Sequence, residues 1–154
     1  MGVTIAERSR WLAGAAPPTW PAGSAPSAVV VVYRKQGGRF EYLVLHRAGA
    51  DDAGDWCWTP PVGSRNHGER VKDCARREVQ ERTSMSLPPI PTAFGCDGWD
   101  VFLAQAPPSW VVELSDEHDR FEWLPVEEAA ARCRPELVAG PVRRVADFVE
   151  GRAT

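Results

Sequence analysis

The chain has no apolar stretch long enough to cross a bilayer. Its longest, residues 28–33, falls far short of the roughly 20 residues that a membrane-spanning helix needs. Residues 1–10 are polar and mixed in charge, so no secretory leader is expected, and Ala6 stands where a myristoylation signal wants Ser or Thr. Cys57, Cys74, Cys96 and Cys133 form no C-x-x-C pair and match no zinc spacing, so free thiols are expected. A net charge of −3 gives no general pull toward nucleic acid or anionic lipid, and stable nucleic-acid binding is not expected. No internal repeat is visible. These absences leave a cytoplasmic globular protein, in which any affinity for a polyanion must come from local Arg or Lys and bound cations.

The 154 residues with 44% hydrophobic content suit one compact domain. Pro17, Pro18, Pro21 and Pro26 make residues 1–26 an irregular extension after a short helical start. Trp11 and Trp20 there could cover the chain's own sheet or a second copy, so a homodimer stays open. The domain proper is expected over 27–154. Residues 27–34 read as a buried strand, 36–38 as a turn, 40–46 as its antiparallel partner and 48–55 as a loop. Residues 56–62 read as a short strand ending in Pro60-Pro61. Residues 68–84 lack proline and carry Val71, Ala75 and Val79 at helical spacing, the clearest helix in the chain. A Pro-rich break at 87–91 follows, then strands at 93–104, 110–114 and 120–124 around an acidic loop at 115–119. Helices are expected from Pro125 to Arg132 and over 142–150. This order gives a mixed α/β class, a central sheet covered by helices.

The helix over 68–84 carries the chemistry. Glu78 and Glu81, three residues apart, share one face, and adjacent carboxylates repel unless something neutralises them. A divalent cation would do so, and magnesium favours few carboxylates plus substrate phosphates. The loop 63–68 feeds straight into the helix N-terminus, a junction that attracts anions. On spacing alone, a solvated charged face is the preferred reading of Glu69, Arg76, Arg77, Glu78 and Glu81.

The longer pattern decides between them. Gly63, Glu69, Arg77, Glu78, Val79, Glu81 and Met85 stand at the spacing G-x5-E-x7-R-E-U-x-E…U, where U is bulky and apolar. This segment resembles the box of the Nudix hydrolases, in the strand–loop–helix context that the box requires. The resemblance implies a Nudix-like fold, a mixed central sheet sandwiched by helices. It also implies a hydrolase that cleaves a phosphoanhydride bond in a nucleotide or related diphosphate, with Mg2+ (or Mn2+) as cofactor. Glu78, Glu81 and the Gly63 carbonyl would hold the metal, Arg77 would orient the carboxylates by hydrogen bonds, and Glu69 would support that cluster. Two positions depart: Arg82 replaces the second consecutive Glu, and Ser84 replaces the Gly. A permanently charged guanidinium opposes a nearby metal. Arg82 therefore also raises the alternative of a Nudix-like module that binds a nucleotide without hydrolysing it, with Arg82 on phosphate.

Outside the box the similarity runs over about residues 27–150. It implies a phosphate contact for Arg47 and a place near substrate for Trp58, which also reads as a packing residue. Glu117, ahead of Asp116 and Asp119, is the late acidic residue expected to bind metal or activate water. His118 reads as a solvent-exposed loop neighbour, and His67 sits in the box loop. The run Glu117-His118-x4-Trp123-Leu124 before a helix, with Ser84 for the box Gly, is similar to dihydroneopterin triphosphate pyrophosphohydrolases.

Overall fold

The protein is described as a computed structural model over residues 28–95 and 100–151. The extension 1–26 with Trp11 and Trp20, and Ser27 and Cys96, lie outside the described residues. Strand β1 (Ala28–Gln36) turns through Gly37 and Gly38 into β2 (Arg39–Arg47). Both glycines have positive φ (60° and 79°), the two-residue turn whose twist suits a hairpin. β3 (Trp58–Thr59) and β4 (Val62–Gly63) flank Pro60-Pro61, which have no N–H to give a ladder. Helix α1 (Val71–Thr83) follows, then β5 (Ile90–Pro91), β6 (Asp100–Gln105), β7 (His118–Leu124), α2 (Val126–Arg132) and α3 (Glu136–Val149).

The sheet runs β3-β2-β1-β6-β5, with β4 also on β1 and β7 also on β2. β1 is central: antiparallel to β2 and β4, parallel to β6. Its side chains alternate between two buried layers. Val29 and Val31 face a core shared with Val138, Val142 and Val145 of α3. Ala28, Val30 and Val32 face a second core with Cys74, Ala75 and Val79 of α1. The sheet is thus sandwiched by helices, as expected, and its valine run reflects burial on both faces.

Several boundaries differ from the sequence expectations. Residues 93–95 form no strand, β6 is described from Asp100, and β5 lies inside the segment read as a proline-rich break. Residues 110–114 form no strand; Trp110 N–H closes a turn on the Pro107 carbonyl. β7 starts at His118, inside the predicted acidic loop, because it pairs with Arg47 at the far end of β2. α1 starts at Val71, after Gly68 with its φ of 77°. α3 starts at Glu136 and carries Pro141 internally. Proline removes one helical hydrogen bond, but buried Val138, Val142 and Val145 hold both sides of it against the sheet.

Candidate active site

The site forms where β4 delivers Gly63 onto the inner face of α1. Glu78 lies on that face with its side chain only 4% exposed. Its carboxylate rests on the bare Cα of Gly63, where any added Cβ would collide with it. Burial pushes the Glu78 carboxyl above the usual range, against the pull of Arg82 and Arg77.

Arg77 gathers the acids. Its guanidinium donates to Glu69 twice at 2.9 Å, to Glu78 Oε2 at 3.0 Å, to Glu81 Oε1 at 3.2 Å and to the Ser64 carbonyl at 3.0 Å. One planar fork therefore fixes three carboxylates and the loop after Gly63. Its hydrogen bonds hold the Glu69 carboxyl below the ordinary carboxylate range. Glu69 also accepts from Asn66 N–H at 3.0 Å, which pins the loop into the helix. Glu81 remains largely exposed at the edge.

Arg82 points inward. Its side chain is 6% exposed, and its Nε donates to the Val62 carbonyl at 3.2 Å. The same Nε lies 2.8 Å from Glu78 Oε1, an electrostatic contact, since the proton is directed at Val62. Its other end donates to Glu117. Of the three candidate acids in the late loop, Glu117 is the one that meets this cluster. Asp119 instead pairs with His46 at 2.7 Å, and Asp116 is exposed. The Glu117 carbonyl accepts from Ala48 N–H at 2.9 Å, tying the acidic segment to the end of β2.

Arg47 stands at that end, half-buried, and pairs with no carboxylate among the described residues. Trp58 is 2% exposed. His46 meets its ring edge-on at 4.8 Å, and Arg120 and Arg132 lie over the ring at 5.5 and 5.0 Å. His118 differs from expectation: it is partly buried, and its Nδ1 has no hydrogen-bond partner. Burial, then the Arg82 charge, lowers its pKa to about 4, so the ring is neutral near pH 7. His67 lies in the exposed box loop.

Sequence reasoning missed a second network. His46 is 1% exposed and lies 3.0 Å from Asp52 and 2.7 Å from Asp119, while Arg120 binds Asp52 at 2.8 Å. His46 and Asp52 stand 73 and 68 residues from their partners Asp119 and Arg120, and no local pattern joins the two pairs. The cysteines fit the expected free thiols: Cys57, Cys74 and Cys133 are buried and unpaired, and burial pushes the Cys74 thiol up to about 12.

The donors suit a hard divalent cation in one respect. The Glu78 and Glu81 carboxylates converge on one Arg77 nitrogen, so two hard oxygen ligands stand together on one face of α1. Among the described residues, no three His, Cys, Asp or Glu side chains form a ready cluster for an ion.

The family model of the NUDIX domain matches residues 23–145. The chain belongs to the Nudix family. A Caenorhabditis elegans bis(5′-nucleosyl)-tetraphosphatase (asymmetrical) is 26% identical over 137 residues, covering 81% of this chain and 96% of that protein. A C. elegans Ap4A hydrolase binary complex has a TM-score of 0.67 at 26% identity, over 80% of this chain and 98% of that one. The E. coli dihydroneopterin triphosphate pyrophosphohydrolase shares the fold, with a TM-score of 0.62 at 22% identity over 76% and 91% of the two chains. Domain and relative together make the chain a Nudix pyrophosphohydrolase. No helix among the described residues is long and apolar enough to cross a membrane.

Proposed function

We propose that the chain hydrolyses a phosphoanhydride bond in a nucleoside-linked polyphosphate with the help of magnesium. Bis(5′-nucleosyl) tetraphosphate is the first substrate to try, since a relative is named for it. The observation that carries the reading is the convergence of Glu69, Glu78 and Glu81 on Arg77, beside a glycine that leaves no side chain between β4 and Glu78. Glu78 and Glu81, with the Gly63 carbonyl, would hold the ion. When bound, magnesium offsets phosphate charge and acidifies water.

The chain's own groups do the rest. Arg77 would hold the carboxylates together and oriented, so little reorganisation is needed as phosphate charge develops. Arg47, which pairs with no carboxylate among the described residues, would take a phosphate oxygen. Glu117 would serve the attacking water or the ion on leaving Arg82. The products would be two phosphorylated fragments.

Release of nucleotide, phosphate and pyrophosphate should be measured over a panel of dinucleoside polyphosphates and nucleoside triphosphates, with magnesium or with chelator. Turnover that needs magnesium and drops at least 100-fold in Glu78→Gln is expected. Nucleotide binding with no turnover of any compound would instead establish a binding module.

A further inference from the structure

We propose that Arg82 is the resident cation of this site, holding between Glu78 and Glu117 a position that becomes a divalent-metal site when the guanidinium is removed. Glu78 Oε1 is buried, aimed at this position, and accepts no hydrogen bond. Arg82 Nε lies 2.8 Å from it but gives its proton to the Val62 carbonyl. The guanidinium thus supplies Glu78 with charge and leaves its lone pair unused. At its other end it binds the Glu117 carboxylate. Glu81 and Glu117 both add negative charge to the surroundings of Glu78. A buried carboxylate among other acids needs a positive partner, and a tethered guanidinium cannot be lost to chelation or deprotonated.

Without Arg82, two carboxylates and the Val62 carbonyl would face one another across the vacated space. These are hard oxygens suited to a divalent ion, and an ion, unlike the guanidinium, would engage the unused Oε1 lone pair. The intact protein therefore binds one fewer divalent ion than its acids would support. The inference takes the location of the site from the proposed function but needs no turnover.

The test is Mn2+ binding without nucleotide, read as loss of the free-ion electron paramagnetic resonance signal, in the full chain and in Arg82→Glu and Arg82→Gln. At least tenfold tighter binding is expected in both variants, and the gain should vanish when Glu117→Gln is added. Arg82→Gln retains a donor for Val62 and carries the test if Arg82→Glu does not fold alone. Folding of Arg82→Glu that requires Mn2+ supports the proposal. Equal Mn2+ binding by all proteins, or a gain that survives Glu117→Gln, overturns it. A chain that hydrolyses nothing could still pass, so the two readings fail separately.

Discussion

Gly63 and Glu78 occupy what would otherwise be one volume. A methyl at Gly63 collides with the Glu78 carboxyl carbon and both of its oxygens. The carboxylate cannot withdraw easily, because Arg77 holds one oxygen and the buried wall of α1 lies behind it. Gly63→Ala should therefore cost roughly 1–3 kcal/mol of stability, the usual range for overpacking. It should lower kcat at least tenfold by displacing Glu78. Denaturant melts and steady-state assays check both, and wild-type values for both would remove Gly63 from the site. At this scale the sequence was most informative, because fixed spacing names Gly63, Glu69, Arg77, Glu78 and Glu81 one by one. The i, i+4 spacing also suits the contact of Arg82 with Glu78, but it could not say where the rest of Arg82 goes. Its other partners, Val62 and Glu117, lie 20 and 35 residues away, and only the folded sheet brings them together.

The exit of α1 shows the second departure from the family box at work. Ser84 has φ 62° and ψ 15°, the left-handed conformation in which a helix commonly ends on glycine. Its N–H still closes on the Gln80 carbonyl, and its hydroxyl bonds the Glu113 carbonyl at 3.2 Å. The hydroxyl offsets part of the strain. Ser84→Gly should raise stability, by up to about 1 kcal/mol, once the greater freedom of glycine in the unfolded chain is subtracted. Ser84→Val, branched at Cβ and unable to bond Glu113, should lower it. Urea midpoints measure both, and a destabilised Ser84→Gly would show the hydroxyl to outweigh the backbone. Helix ends elsewhere fall within three residues of those expected from proline and apolar spacing, but Pro141 hides the first six residues of α3, since packing on the sheet overrides the local rule.

The molecule as a whole carries a proton-linked liability at His118. Below pH 6.5 the unfolded chain protonates His118, whereas the folded chain waits until about pH 4. The unfolded state binds more protons across that window, so this group's contribution to stability is complete above pH 6.5 and is lost as pH falls to about 4. His118→Gln, neutral at every pH, should show a shallower decline in urea midpoint between pH 7 and 4.5. An unaltered slope would place the acid sensitivity elsewhere. The ring is kept dry by the same fold that escaped the sequence reading: β7 reaches back to His118 only because Arg47 is there to pair with. Short strands such as β3, β4 and β5 were hard to foresee for a related reason. Each is two residues long, and its partner, not its own composition, makes it a strand.

The parallel pairing of β1 with β6 also sets a schedule for synthesis. Val29 to Tyr33 cannot find Val101 to Gln105 until about 70 further residues have left the ribosome. Until then the valine-rich strand has one edge open and one face bare, even after its hairpin partner has emerged. For that interval the most hydrophobic segment of the chain is a sticky template, and a holdase-type chaperone or rapid elongation through residue 105 would govern the yield of folded protein.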